Sequence, residues 1–196
     1  MTSATNRVIT AAVTAGVPVH IEGDPGTGKT ASLEHWAHMW GWQSEVITAA
    51  VRDKGDFMGI PVEEKGQVTY SPPAWVKRLQ NAKRGLLVLD ELQSSSEAFP
   101  LCLRIVQERE VGETKLSDGV SIIAISNPIE NAVNGSELPP PVANRFLHLA
   151  WAGDFDTWAS GLASGFADAD HPDPGGAVAK LGGEQRRLSF SFPDGR

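Results

Sequence analysis

Continuous apolar runs separated by helical patterns make up most of the chain before Trp151. We predict buried strands at four of these runs: Val17 to Glu22, Glu45 to Val51, Leu86 to Leu89 and Val120 to Ser126. Strands without a polar face are typical of a parallel sheet that helices cover on both sides. The predicted fold class is therefore α/β, with the sheet as the middle of three layers.

Helical spacing predicts the elements around the first strand. One short helix is expected from Asn6 to Ala15, where Gly16 ends it, and another before Gly41. The apolar residues of the second helix recur at intervals of three and four: Leu33, Trp36, Ala37 and Trp40. This spacing places them on one face, which we expect to be buried.

The stretch before the third predicted strand has a different pattern. From Gly59 to Trp75, glycine and proline accompany alternating positions, which are Val62, Gln67, Val68, Thr69 and Tyr70. The pattern predicts a small hairpin inserted before a helix at Lys77 to Arg84.

After Trp151 the composition shifts to glycine, alanine, aspartate and proline. One helix is expected there at Asp154 to Phe166, and a loop at His171 to Gly176. We therefore divide the chain into a core of residues 1–151 and a C-terminal segment of residues 152–196.

The charge and cysteine content limit which partners and which cellular location we expect. The 196 residues carry a formal charge of −7, which gives no general attraction to nucleic acid or anionic lipid. The single cysteine, Cys102, cannot form an internal disulfide, and a buried thiol in the apolar stretch Leu101 to Val106 fits a reducing, cytoplasmic location.

No run approaches the roughly 18 apolar residues of a membrane span. Val8 to Val19 is not expected to be a signal peptide, because the main motif follows it at once.

That motif is GDPGTGKT, from Gly23 to Thr30, which matches the Walker A pattern between a predicted strand and a helix. Its glycines let successive N–H groups point at phosphate oxygens, Lys29 adds a positive charge for the β and γ phosphates, and Thr30 offers a hydroxyl to Mg²⁺. We expect ATP and Mg²⁺ as ligands. The candidate nucleotide contacts are Gly23, Asp24, Pro25, Gly26, Thr27, Gly28, Lys29 and Thr30.

Two further strands end in polar residues. LLVLDE ends in Asp90 and Glu91, a Walker B pattern in which Asp90 holds the magnesium shell and Glu91 polarises the attacking water. The alternative is that these carboxylates cap the next helix through Ser94 to Ser96. IIAISNP ends in Asn127, which could reach the γ-phosphate or the water, or could form an Asn-Pro turn.

With these motifs in this order, the chain resembles the AAA+ ATPases, in particular the MoxR-like branch, from about Val8 to about Trp151. Besides the Walker elements, the resemblance rests on three segments: DFMGIP (Asp56 to Pro61), LRIVQEREV (Leu103 to Val111) and SNPIENAVNGSELPPPVANRF (Ser126 to Phe146).

The resemblance implies a P-loop NTPase sheet ordered 5-1-4-3-2 with an inserted hairpin, assembly into a homo-oligomeric, hexameric ring, and a first-sensor role for Asn127. It also implies that Arg145 is the arginine finger that enters a neighbouring subunit's site. Arg104 and Arg109 are rival candidates, and Arg145 could instead stabilise a helix C-terminus. Members of the family carry a helical lid, and we expect it to be absent or incomplete here, because only 46 residues follow Ala150.

The function that the resemblance implies is ATP hydrolysis coupled to the remodelling or activation of a protein partner, with von Willebrand A domains as a partner class. One alternative is a DNA-acting motor or loader, and another is a nucleotide-gated scaffold without turnover. The basic residues Lys77, Arg78, Lys83 and Arg84 could contact a polyanion, but the last two are expected at a helix C-terminus and the sequence shows no basic stripe. His20, His35 and His38 lack partners at metal-ligand spacing.

Overall fold

A computed structural model describes residues 3–94, 97–131 and 136–153 of the chain. The strands are β1 Val19–Glu22, β2 Gln43–Thr48, β3 Ile60–Glu64, β4 Gln67–Ser71, β5 Gly85–Asp90, β6 Glu110–Val111, β7 Thr114–Lys115, β8 Val120–Ser126 and β9 Leu147–Ala150. The helices are α1 Ser3–Thr14, α2 Lys29–Met39, α3 Lys54–Met58, α4 Ala74–Asn81, α5 Phe99–Glu108 and α6 Pro140–Ala143.

The main sheet has five strands in the order β2-β5-β8-β1-β9, and every neighbouring pair is parallel. When only these five strands are numbered along the chain, the order is 5-1-4-3-2, as the resemblance implied. Because all strands run the same way, β1, β5 and β8 end at one edge of the sheet. The segments that follow Glu22, Asp90 and Ser126 therefore meet there.

Helices cover both faces of this sheet, which confirms the α/β fold class. Alternate strand residues point to opposite sides, so Leu87 and Leu89 pack with α4 and α5, whereas Leu86 and Val88 pack with α1 and α2. The predicted buried face of α2 is present, since Leu33, Trp36 and Ala37 are buried and Trp40 packs against them at the margin.

Several element boundaries differ from the sequence-based predictions; β1, for example, begins at Val19 rather than Val17. Strand β2 ends at Thr48, because its partner β5 ends opposite at Asp90, and Ala49–Val51 form a 3₁₀ turn instead of continuing the strand. Helix α4 begins directly after Pro73, earlier than predicted, and ends at Asn81. Lys83 and Arg84 therefore follow the helix rather than forming its last turn.

The inserted hairpin is present as β3 and β4, an antiparallel pair in which Val62 lies opposite Thr69. Its turn residues, Lys65 and Gly66, have φ angles of 54° and 78°. Positive φ at both positions is typical of the turn whose twist matches that of a hairpin.

Cys102 is fully buried on α5, where burial raises the pKa of its thiol to about 12. A thiol in that state stays protonated and packs as a small apolar group.

None of the helices in the described ranges is long and apolar enough to cross a bilayer. The helix predicted at residues 154–166, the loop at residues 171–176 and any lid lie outside the described residues.

Arg109 ties the end of α5 to the start of β8. It follows the helix with a φ of 58°, and its guanidinium donates to the carbonyl of Ser117 at 2.8 Å and to that of Val120. Arg104, one turn earlier, is exposed and pairs with Glu108 and Glu110.

These contacts predict different costs for removing the two arginines. Arg109→Met should lower the free energy of unfolding by about 2 kcal/mol, because it leaves half-buried backbone carbonyls without their donor. Arg104→Met is the matched control, and it should leave stability nearly unchanged because exposed ion pairs contribute little. Urea denaturation measures both, and equal losses would contradict the anchoring role of Arg109.

Candidate functional site

The loop of residues 23–30 joins β1 to α2 at the carboxyl edge of the sheet. Gly26 and Gly28 have φ angles of 76° and 79°, a conformation that glycine adopts without steric cost. Gly28 is the N-cap residue of α2, so the loop runs directly into the positive end of an 11-residue helix. Free N–H groups at such a helix start favour an anion.

The ammonium of Lys29 lies inside this loop and has three acceptors. Its Nζ donates to the carbonyls of Gly23 at 2.6 Å and Asp24 at 2.8 Å, and to Oδ1 of Asn127 at 2.9 Å. Burial lowers the pKa of Lys29 below its usual value, while Asp90 and Asp24 act in the opposite direction. All three N–H bonds of the ammonium are engaged, so a phosphate oxygen that binds Lys29 replaces at least one of these acceptors.

Asp90 lies next to the first turn of α2. The hydroxyl of Thr30 donates to Oδ2 of Asp90 at 2.8 Å, and the backbone N–H of Glu91 donates to Oδ1 at 2.9 Å. The hydroxyl oxygen keeps lone pairs that could face Mg²⁺, which prefers hard oxygen ligands. Within the described ranges no group of three or more His, Cys, Asp or Glu could hold a metal. This pair suits a cation that takes its remaining ligands from phosphates and water.

Glu91 has an unusual backbone conformation for a residue that is not glycine. Its φ of 54° lies in the left-handed region, where strain of about 1 kcal/mol or more persists only if the surroundings hold it. Leu92–Ser94 form a 3₁₀ turn directly after Glu91, and the N–H of Ser94 donates to the backbone carbonyl of Glu91 rather than to its carboxylate. In the described part of the chain, no hydrogen bond engages its carboxylate, which is half-buried at the edge of the site.

Arg145 lies near the amino ends of the strands, whereas the loop lies at their carboxyl ends. It precedes β9, whose first residue, Leu147, is opposite Val19 at the start of β1, whereas the loop follows Glu22 at the end. Four residues of strand separate the two edges by about 10 Å. The Arg145 side chain is exposed, and its guanidinium donates to Oε1 of Gln107 at 3.2 Å.

Trp151 packs against the loop, a contact that no local sequence pattern predicts. Its indole N–H donates to the carbonyl of Thr27 at 3.3 Å, and its backbone N–H donates to that of Glu22. A Cβ at Gly23 would lie only 2.5 Å from the backbone oxygen of Trp151, so glycine is required for this close approach. Trp151 therefore packs against the loop from outside, and the ammonium of Lys29 hydrogen-bonds to loop carbonyls from inside.

A cleft of about 640 Å³ lies beside α3 and the start of α5 rather than at the loop. Phe57, Ala98 and Leu101 form its apolar lining, and Arg52, Asp53 and Glu97 supply charged groups. None of the sequence-predicted site residues lines it, so the convergence of loop and strand ends remains the candidate site.

Comparison with protein-family models and with curated proteins gives no match for this chain. Its fold does match solved structures, among them a putative ATPase from Cytophaga hutchinsonii, with a TM-score of 0.58 and 18% sequence identity. The match covers 90% of this chain and 56% of that chain, so this chain spans just over half the length of that structure. At this identity the likeness shows a shared fold alone.

Removing the Thr30 hydroxyl should weaken the contact between α2 and β5. Thr30→Val is expected to lower the free energy of unfolding by about 1–2 kcal/mol, because it keeps the side-chain shape but leaves one oxygen of Asp90 without its donor. Thr30→Ser retains the hydroxyl and should cost clearly less. Denaturant titrations of the protein without nucleotide measure both, and identical stabilities would mean that this hydrogen bond contributes nothing.

Proposed function

We propose that this chain is a MoxR-like AAA+ ATPase that binds ATP with Mg²⁺ in the loop of residues 23–30 and hydrolyses it. The observation that carries the proposal is the meeting of three strand ends. Lys29 of the loop contacts Asn127 after β8 at 2.9 Å, and Thr30 contacts Asp90 of β5 at 2.8 Å. A positive charge, a hydroxyl, a carboxylate and an amide thus surround one anion-binding loop.

Binding follows from these groups. The β and γ phosphates would accept hydrogen bonds from the loop N–H groups and from Lys29, which exchanges protein acceptors for phosphate oxygens. Thr30 and Asp90 would hold Mg²⁺, which supplies positive charge that offsets the charge of the phosphates.

Hydrolysis requires a group that activates water, and Glu91 is that group in this proposal. Its carboxylate orients a water molecule and accepts its proton while the water oxygen bonds to the γ-phosphorus. The bond from that phosphorus to the β,γ-bridging oxygen breaks, which leaves ADP and inorganic phosphate. Asn127 lies beside Lys29 and would orient the γ-phosphate or the water.

A ring arrangement would complete the site through Arg145. This residue is exposed and lies at the other end of β1 from its own loop, about 10 Å away along the strand, which supports contact with a neighbouring subunit's γ-phosphate. Of the rival arginines, Arg109 is engaged with backbone carbonyls and Arg104 with two glutamates, which favours Arg145. A hexameric ring in the cytoplasm is part of this proposal.

The work that hydrolysis would drive is the remodelling or activation of a protein partner, with von Willebrand A domains as the partner class. DNA is disfavoured because Arg78 pairs with Glu45, Arg84 lies over the ring of Trp42, and the chain carries a charge of −7. A scaffold without turnover is disfavoured by Glu91, whose carboxylate would have no use there. Phosphate release measured with and without DNA distinguishes these three functions.

Glu91→Gln should bind ATP with the parent's affinity but lose turnover by a factor on the order of 100 or more, because the amide cannot accept the proton of water. Lys29→Ala is the contrasting variant, and it should lose tight binding itself. Calorimetry gives the affinities and phosphate release gives the turnover. Unchanged turnover in Glu91→Gln would remove Glu91 from the mechanism, and near-parent affinity in Lys29→Ala would remove the loop.

The role of Arg145 can be tested by mixing two inactive variants. Arg145→Ala subunits keep an intact loop but fail to stabilise charge on a neighbour's γ-phosphate, and Glu91→Gln subunits have the reverse defect. Mixed rings contain interfaces with an intact Arg145 facing an intact Glu91, so part of the ATPase activity should return. If subunits demonstrably exchange and no activity returns, Arg145 does not act across the interface.

A further inference from the structure

A line of hydrogen bonds crosses the sheet next to α6 and joins β9, β1 and β8. Nδ1 of His148 lies 3.1 Å from Nδ1 of His20, and Nε2 of His20 lies 2.7 Å from Oγ of Ser126. At the outer end, Nε2 of His148 lies 2.8 Å from the carbonyl oxygen of Ala143. His20 and Ser126 are each only 3% exposed, so the centre of the line is shielded from water.

For two neutral rings, the line admits one arrangement of hydrogens. The carbonyl of Ala143 can only accept, so His148 carries its hydrogen on Nε2 and accepts at Nδ1. His20 must then donate from Nδ1 and accept at Nε2, which makes Ser126 the donor of the last hydrogen bond. Burial, with a smaller effect from His148, lowers the pKa of His20 to about 4, which keeps this ring neutral near pH 7.

The two ends of the line lie beside groups with proposed roles in hydrolysis. Ser126 immediately precedes Asn127, whose side chain contacts Lys29, and the carbonyl of Ser126 accepts from the N–H of Gly23 at 3.3 Å. Ala143 is the last residue of α6, two positions before Arg145. The line therefore connects the segment that carries Arg145 with the strand end that carries Asn127.

The surroundings of His20 do not by themselves call for a polar ring. Phe146 lies 6.1 Å from it, centroid to centroid, and Val142 and Ala124 belong to the apolar cluster on the same side of the sheet. A phenylalanine would occupy a similar volume without the cost of removing an imidazole from water. What the histidine adds is two hydrogen bonds of fixed direction.

We propose that His20 is a positioning residue that couples the Arg145 segment to Asn127 through His148 and Ser126. When a neighbouring subunit's nucleotide binds or leaves, a shift of the Arg145 segment would move His148. The hydrogen bonds of His20 would transmit that movement to Ser126 at the end of β8. The coupling role rests on the proposed function, whereas the hydrogen-bonded line itself does not.

The line can be tested in the protein without nucleotide by NMR of its histidine rings and asparagine side chains. His20 should be the neutral tautomer with its hydrogen on Nδ1, whereas exposed His38 serves as an internal control with exchanging tautomers. His20→Phe and His148→Phe should both shift the side-chain amide signals of Asn127, and His38→Phe should not. A hydrogen on Nε2 of His20, or unshifted Asn127 signals, overturns the proposal.

Turnover gives the second test. His20→Phe and Ser126→Ala should each lower kcat about tenfold, since a small misplacement of a reacting group is costly, while KM for ATP stays within about twofold. The double variant should be no slower than His20→Phe, because both changes break one line. His38→Phe should match the parent.

The outcomes separate the two proposals. If the parent hydrolyses ATP and neither His20→Phe nor Ser126→Ala changes kcat, His20 is only a packing residue. If the parent shows no hydrolysis, the proposed function fails, and the NMR signals still decide whether the line reaches Asn127. Should His20→Phe not fold, Ser126→Ala alone decides, because it removes only a hydroxyl.

Discussion

The buried ammonium of Lys29 is the contact on which the rest of the site depends. A charge placed inside a loop is costly unless it is hydrogen-bonded, and its three acceptors come from two loop carbonyls and from Asn127 on another strand. Those bonds hold the loop in a curled form and fix the end of β8 against it. The ammonium that we propose to meet phosphate therefore also organises the protein around the loop of residues 23–30.

The parallel sheet makes this meeting possible. Because β8 lies between β5 and β1, the ends of three strands arrive side by side, although Thr30, Asp90 and Asn127 are far apart in the chain. The register of neighbouring strands determines where each strand ends relative to the others, since Glu22 lies opposite Ser126 and Thr48 lies opposite Asp90. Helices on both faces hold that register by burying alternate residues of every central strand.

Local sequence features were sufficient to predict the loop, the apolar strands and the two strand ends, because each depends on neighbouring residues. The boundary of β2 depended instead on where β5 stops, and that of α4 on Pro73. The order of the strands came from the resemblance, but local patterns could not predict which side chains meet across paired strands. His20 and His148 are 128 positions apart, and only the register of β1 with β9 brings their rings together. The inward direction of Arg109 likewise reflects tertiary contacts rather than any pattern near it.

Trp151 and Gly153 connect the last described residues of the chain directly to the loop of residues 23–30. Trp151 holds the carbonyl of Thr27, and a Cβ at Gly153 would lie 2.9 Å from the Thr27 methyl group. A displacement of Gly153 would therefore reach the loop directly, through its contact with the Thr27 side chain. Conversely, a change in the backbone conformation at Thr27 would displace Trp151 and Gly153, so the loop and the last described residues would move together.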